Sequence, residues 1–428
     1  IGRTFDSSPF FILKINSFSF YFNVPEMSQR YLMVKYNDAY PSPQNIFITS
    51  LFPDSVGGLS HFFLQNYHKF SNFTSVTGPK DLIKVILLDY DYFGNKKIPD
   101  PSKLQISDNF DNRLIHVESI TLSQSISYDI LLKTINQRFL VVDCRFIDDL
   151  KKLPNLKEYS VILHLTTPEI LIQKEYTSFF TSANESDEMN TKKDILNICF
   201  MPSGIISNHK SEQYYSRRAN SILPPLSFGK TLKPPPGFIN FTAAESEYDF
   251  ISKEMSIKGQ GEEIDIDTIN LINTENNDTN ESDNNKQNIS ENSSNNNEGN
   301  NTNNENNEKL VNLSKLNILS KLTEFEPSLP DFKRYAVTFL GSGTKFVSQT
   351  VNLSGYLIHT KYGFVIFDPS EGFLDQLIRK FGPKLTEFIL KNIECIWISH
   401  FHQDHILGIP SLLYERSKLT EKKALFLA

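Results

Sequence analysis

The sequence predicts an α/β protein made of two related blocks joined by an acidic, asparagine-rich segment. Three observations carry this reading. Runs rich in β-branched and aromatic residues alternate with segments of helical apolar spacing. One long stretch has almost no apolar residues. Two short segments match each other in step at an offset of 350 residues. The chain has 428 residues, enough for two or three domains at roughly 150 residues each. Apolar residues make up 39% and charged residues 22%, which excludes a fully disordered chain and allows sizeable cores. No run of 18 apolar residues occurs, which argues against a transmembrane helix. The three cysteines (Cys144, Cys199, Cys395) are scattered, odd in number and not in C-x-x-C pairs. A disulfide framework is not expected, and a reducing compartment fits better. The first residue is Ile1, so the sequence reads as a fragment or as a chain that begins after processing.

The net charge is −7, but its distribution matters more. Residues 245–308 hold 16 acidic residues and 3 lysines, a net of −13, which leaves the rest of the chain at +6. Within 270–312, 19 residues are asparagine. Such a segment cannot offset the entropy of ordering, so 243–312 is expected to be a disordered insert or linker. It separates an amino-terminal block, 1–242, from a carboxy-terminal block, 313–428.

In the first block, "FFILKI", "RYLMVKY", "NIFITSLF", "RFLVVDC" and "YSVILHL" read as strands. "PKDLIKVILL" and "TPEILIQKEYTSFF" carry helical spacing behind Pro- or Thr-containing starts. "LKPPPGF" (232–238) reads as a linker edge. In the second block, "YAVTFLGSG" reads as a buried strand ending in a glycine turn. "LSGYLIHTKYGFVIFD" reads as a hairpin turning at 361–363. "EGFLDQLIRKFG" reads as an amphipathic helix capped by Gly382. "IECIWIS" is a strand, a loop follows, and "HILGIPSLLYERS" is a helix.

The chemistry concentrates in "ISHFHQDHILGIP", where His400, His402, Asp404 and His405 directly follow a strand. On such a loop His400 and His402 can turn to one side and share an ion. Asp404 and His405, at the next helix start, can reach a second. Imidazole nitrogens and a carboxylate suit zinc, with bonds of about 2.0–2.2 Å. Two ions about 3.5–4 Å apart can stabilise the charge of an in-line displacement at phosphorus. Asp404 can also take a proton from an attacking water. The plainer reading is a surface histidine cluster with Asp404 as a helix cap; three of nine histidines in a six-residue window favour the metal. Gly341 and Gly343 lack the third glycine and long helix of a dinucleotide loop, so a tight turn is expected there.

The H-x-H-x-D-H pattern resembles the signature of the metallo-β-lactamase superfamily. With "FLGSGTKFVSQTVNLSGYLI" and "FDPSEGFLDQL" upstream, it resembles the start of the catalytic half of ribonuclease Z, the endonuclease that removes the 3′ trailer from precursor tRNA. Pro369-Ser370 stands where that family has Cys-Gly, and Val347 and Val351 replace a Pro and an Arg. The resemblance implies two Zn2+ ions and that Ser342 and Thr344 line the RNA end, with Asn352 retained beside them. It implies that Asp368 supports the metal loop through hydrogen bonds, while Glu371 reads as a helix-start carboxylate. A further His, a bridging Asp and a last His are expected beyond residue 428, so the chain alone is expected to be inactive, with weak or no zinc binding.

"ITSLFPDSVGGLS" (48–60) matches "ISHFHQDHILGIP" (398–410), with Ser50, Phe52 and Ser55 in place of the histidines and only Asp54 kept. "RYLMVKY" compares loosely with "GFVIFDP". The first block resembles the amino half of long-form ribonuclease Z, which has lost its metal ligands. The implied fold is tandem metallo-β-lactamase αβ/βα sandwich domains, the second incomplete. The implied molecule is a monomer whose halves form a pseudo-dimer, bound to precursor tRNA, in nucleus and/or mitochondrion. Lys80, Lys84, Arg217 and Arg218 are candidate phosphate contacts. The family's tRNA-clamping arm has no clear counterpart in 90–135. Alternatives are another enzyme of the same fold, or a non-catalytic RNA-binding remnant.

Overall fold

A computed structural model of the protein describes residues 8–36, 41–66, 75–86, 109–182, 195–202, 230–240, 247–253, 255–256, 263–264, 315–322, 335–348 and 351–427. The chain opens with an antiparallel hairpin of β1 (Phe11–Ile15) and β2 (Phe18–Phe22), turned by Asn16 at φ 54°. Asparagine tolerates this left-handed backbone better than most residues. The next element is helix α1 (Ser28–Tyr36). It contains the "RYLMVKY" run that reads as a strand. A short apolar run has no clear period, and burial of Tyr31 and Leu32 against Tyr21 and Ile46 decides in favour of helix. Strand β3 (Pro43–Phe47) runs parallel to β2; α2 (Pro53–Val56) and α3 (Leu59–Asn66) follow, and β4 (Ser75–Thr77) closes the sheet parallel to β3.

A second sheet contains β5 (Asn109–Asp111), β6 (Ile115–Thr121), β7 (Ile126–Leu132), β8 (Gln137–Val142), β9 (Val161–His164), β10 (Leu196–Cys199) and β12 (Phe238–Asn240), in order 12-10-9-8-7-6-5. Residues 109–135 therefore belong to this sheet rather than to a protruding arm. Alternate residues Leu13, Phe20, Phe22 and Phe47 of the first sheet bury against Val117, Tyr128, Ile130 and Val141 of the second. Rings pack in series, Phe11 on Phe22 at 4.2 Å, Phe22 on Phe47 at 4.7 Å and Phe47 edge-on to Tyr128 at 5.4 Å. The outer face of the first sheet carries α1 and α3. The outer face of the second carries α4 (Pro168–Leu171) and α5 (Lys174–Ser182). This is a helix–sheet–sheet–helix sandwich.

Segment 232–238 is not a linker edge. It joins β11 (Thr231–Leu232) to edge strand β12, and β10 pairs with β12 in parallel. Three more short strands, β13 (Glu247–Tyr248), β14 (Met255–Ser256) and β15 (Glu263–Ile264), lie inside the stretch read as disordered; β15 pairs with β11. Apart from 247–253, 255–256 and 263–264, the stretch 243–312 lies outside the described residues, as do Arg217 and Arg218.

Helix α6 (Lys315–Leu322) leads into the second block, whose five strands run β16 (Ala336–Gly341), β17 (Gly355–Thr360), β18 (Gly363–Phe367), β19 (Ile393–Trp397) and β20 (Leu425–Leu427) in sheet order. Strand β16 is not buried. It is the sheet edge, with Val337 54% and Phe339 69% exposed. Its glycines serve close approach: a Cβ on Gly341 would lie 1.8 Å from Leu353 O, and one on Gly343 2.6 Å from Asn352 O. Helix α7 (Phe373–Lys391) is two helical pieces meeting at Gly382 (φ 74°, ψ 166°) and Pro383. Gly382 ends the first piece, and Pro383 opens the second where a missing N–H does least harm. Helices α8 (Gln403–Ile406) and α9 (Ile409–Ser417) follow β19, and α7 and α9 cover one face of the sheet.

The two blocks repeat in register. Strands β1 and β2 correspond to β17 and β18 at an offset of 345: Phe22 pairs with Phe11 as Phe367 pairs with Tyr356. From β3 onward the offset is 350. Phe47 pairs with Phe22 and Thr77, as Trp397 pairs with Phe367 and Leu427. Even the irregularity recurs, between Ser19 and Phe20 in one copy and between Phe364 and Val365 in the other. The five extra residues fall between β18 and β19, where α7 is longer than α1. The counterpart of "GFVIFDP" is thus "FSFYFNV", not "RYLMVKY".

Candidate metal centre

Strand β19 ends at Trp397, and buried Ile398 anchors the loop that follows. The loop is held from below by Asp368, which is 7% exposed and sits at φ 49° directly after β18. Its N–H donates to Trp397 O at 2.9 Å. Its Oδ1 accepts from Ser399 N at 2.7 Å and its Oδ2 from Ser399 Oγ at 2.8 Å. The same Oδ2 lies 2.9 Å from His405 Nδ1. These are contacts of the kind that orient metal-ligating imidazoles.

The hydrogen bonds of Ser399 fix the ring proton of His400. Ser399 spends its single hydroxyl proton on the carboxylate, which can only accept. His400 Nδ1, 2.9 Å from Ser399 Oγ, must therefore donate to it. His400 then presents the lone pair of Nε2. His405 Nδ1, 2.9 Å from Asp368 Oδ2, makes a charge contact there and no hydrogen bond.

The Nε2 atoms of both rings lie beside other candidate ligands. His400 Nε2 is 2.8 Å from His402 Nδ1, and His405 Nε2 is 3.6 Å from Asp404 Oδ2. The rings of His400 and His402 stand 4.4 Å apart, and those of His400 and His405 4.2 Å apart. His400 and His402 are exposed, Asp404 and His405 partly so. Asp404 caps nothing; the N-cap position is His402, without a side-chain cap, and Asp404 lies in the first turn of α8. The donors thus form two pairs. The first pair is a hydrogen bond at 2.8 Å; two nitrogens bound at about 2.0–2.1 Å to one tetrahedral ion stand about 3.3 Å apart, so the pair would open by about 0.5 Å to take one. The chemistry fits zinc. Each pair supplies two donors, however, and among the described residues no group of three or more His, Cys, Asp or Glu side chains is arranged to hold an ion.

The other sequence candidates lie apart from this loop in kind. Ser342 and Thr344 are exposed after β16. Asn352 is 6% exposed, its carbonyl accepts from Gly343 N at 2.7 Å, and its side-chain Oδ1 is buried without a hydrogen-bond partner. Lys80 is exposed, and Lys84 pairs with Asp81 at 2.7 Å.

The first copy builds the same loop scaffold. Asn23, at φ 63°, donates its N–H to Phe47 O at 2.8 Å, and its Oδ1 accepts from Thr49 N at 2.8 Å and Thr49 Oγ1 at 3.0 Å. These are the Asp368, Trp397 and Ser399 contacts, residue for residue. Gly58 N donates to Val24 O, and Gly408 N to Pro369 O, both at 2.9 Å.

Sequence reasoning missed how the copies meet. Glu371 does not serve its own helix; its Oε1 accepts from Met27 N at 2.7 Å and its Oε2 contacts His61 Nδ1. Reciprocally, Glu26 Oε2 accepts from Gly372 N at 3.3 Å and its Oε1 from Ser411 Oγ. Glu26 matches Glu371, Met27 matches Gly372 and His61 matches Ser411 in the repeat. The usable signal was a glutamate at the same distance after β2 and after β18.

No protein-family model matches the chain. The mitochondrial ribonuclease Z of Drosophila melanogaster is 36% identical over 106 residues, 24% of this chain and 14% of that protein. The zinc phosphodiesterase ELAC protein 2 homolog of Caenorhabditis elegans is 30% identical over 86 residues, 20% of this chain and 10% of that protein. The chain thus spans a small part of the length of these relatives. A long-form ribonuclease Z from yeast superposes with a TM-score of 0.61 at 15% identity, covering 99% of this chain and 68% of that one. The fold is the tandem metallo-β-lactamase arrangement.

Proposed function

We propose that this protein, similar to ribonuclease Z in sequence and fold, acts as a zinc-dependent endoribonuclease that removes 3′ trailers from precursor tRNA. One observation carries the reading: His400, His402, Asp404 and His405 converge as two donor pairs on a single strand-end loop, braced by Asp368. Two relatives bear the names ribonuclease Z and zinc phosphodiesterase. His400 and His402 would hold one ion, Asp404 and His405 the second, and each needs further donors. Zinc supplies Lewis-acid polarisation of a phosphoryl oxygen and acidifies water near neutral pH. Asp404 accepts the proton of the attacking water. Exposed Ser342 and Thr344, with Asn352 behind them, face the RNA end. The regions 1–242 and 313–428 are tandem halves of a monomer, paired as a pseudo-dimer, and 243–312 links them. No helix among the described residues is long and apolar enough to cross a membrane. With a relative named mitochondrial, the protein works in the nucleus and/or mitochondrion.

The test uses protein purified from its own cells and a precursor tRNA with a 3′ trailer. One cut is expected, leaving a 3′-hydroxyl on the tRNA and a 5′-phosphate on the trailer, and it is lost with EDTA and in H402A. A cut that persists in H402A overturns the reading. A second reading is a non-catalytic RNA-binding protein; among the described residues the donors stand in pairs only. Retained precursor binding with no cleavage under zinc supports that one.

A further inference from the structure

The first copy keeps the loop scaffold but not the ligands, and its three polar loop positions are not idle. Ser50, Asp54 and Ser55 stand where the second copy has His400, Asp404 and His405. All three turn toward one side chain, Arg145, which enters from the opposite sheet three residues past β8. Its guanidinium binds Asp54 in the bidentate manner, Nη1 to Oδ2 at 2.9 Å and Nη2 to Oδ1 at 3.0 Å. Nη2 also reaches Ser50 Oγ at 3.1 Å and Ser55 Oγ at 3.2 Å. On the other side Nη2 donates to Asp143 Oδ2 at 2.9 Å, and Nε lies 2.9 Å from Asp143 Oδ1 as a charge contact. Arg145 and Asp143 are buried, with side chains 6% and 0% exposed.

We propose that Arg145 occupies the first copy's loop in place of metal ions, as a covalently attached cation that the loop residues coordinate. Two carboxylates and two hydroxyls surround a positive centre, as in an ion site, but the centre arrives with the chain. The surroundings fit the role. Burial opposes a charge on Arg145, yet Asp143 and Asp54 outweigh it and hold the guanidinium above its ordinary range. Phe52, at the position of His402, lies with its ring 4.9 Å from the Arg145 guanidinium carbon. Phe52 also stands 5.6 Å, between ring centres, from Tyr414 of α9. Arg145 is thus a positioning residue. It fixes a metal-free loop so that a ring in a ligand's place packs on the helix that follows the second copy's histidines. The inference does not depend on RNA cleavage.

The test is a charge cycle in the full chain. R145M keeps much of the volume and removes the cation, and its Tm should fall by about 6 °C or more. Adding D54N and D143N to R145M removes the orphaned charges and should recover most of that loss. If R145M melts within about 1 °C of the wild type, the cation is dispensable and the proposal fails. If R145M does not fold, the triple variant decides: recovery of folding supports the role, and continued unfolding assigns the loss to packing and overturns it. In a chain with H400A, H402A and H405A, neither EDTA nor added Zn2+ should move the Tm. A gain with Zn2+ there would mean that the first copy still takes an ion.

Discussion

The backbone N–H of Met27 donates to the Glu371 carboxylate at 2.7 Å, across 344 residues of chain. Glu371 also contacts buried His61, so one carboxylate satisfies two groups of the other copy. Removing it leaves a buried N–H and an imidazole without that partner. E371A should cost about 1–3 kcal/mol, and more if the contact carries charge. Urea unfolding should show it as a lower midpoint and, because the seam between copies is weakened, as two separated transitions. E371Q should lose less. An E371A curve that overlays the wild type removes the clasp from the account.

The partner carboxylate gives a pH signature. Burial pushes Glu26 from its ordinary 4.5 up to about 8; Ser411 and Gly372 pull it down, while Asp375 and Glu371 add to the rise. The folded chain then keeps a proton that the unfolded chain loses. This contribution is fully present below about pH 4.5, declines as pH rises and is gone above about pH 8. E26Q cannot ionise. Its Tm should exceed the wild-type value at pH 8 by about 2 °C or more, with a flatter profile from pH 5 to 8. Parallel profiles for the two proteins would discard this assignment.

Gly408 and Gly58 should both be intolerant of a methyl group. A Cβ on Gly408 would lie 2.0 Å from Ser370 O, and one on Gly58 2.3 Å from Pro25 O. Each obstacle is backbone and cannot swing aside. G408A and G58A should each cost about 1–3 kcal/mol or more in denaturant midpoint. A neutral G408A would show that the loop can move away from β18 freely.

Asp368 should control the metal loop without ligating. D368A frees Ser399, so the His400 tautomer loses its setting, and removes the carboxylate beside His405 Nδ1. In protein purified from its own cells, as in the cleavage test, zinc affinity read by competition with a chromophoric chelator should fall about 10- to 100-fold. D368N, which can still accept from Ser399 N, should fall less. Equal affinity in D368A and wild type rules out the orienting role.

The legible part of this molecule was what lies close together in sequence. His400 to His405 sit on one loop, and the match of 48–60 to 398–410 survived because helix starts and glycines are constrained by local backbone. Arg145 left no such trace, since about 90 residues separate it from Asp54. "RYLMVKY" misled because strand and helix are indistinguishable in a short apolar run whose burial is decided by Tyr21 and Ile46. "AVTFLG" misled for the opposite reason. Its apolar residues suggest a covered strand, while its place is the sheet edge.

That edge strand has a practical consequence. Val337, Phe339 and Trp397 share a sheet face with Tyr356, Ile358, Val365 and Phe367, and several are more than 40% exposed. In the first copy the matching residues Leu13, Phe20, Phe22 and Phe47 lie under seven strands. An apolar pleated face beside an open edge is a template for adhesion between molecules. In the test tube this predicts a colloidal liability: turbidity that grows with concentration and ammonium sulfate, and recedes when Phe339 is changed to Lys.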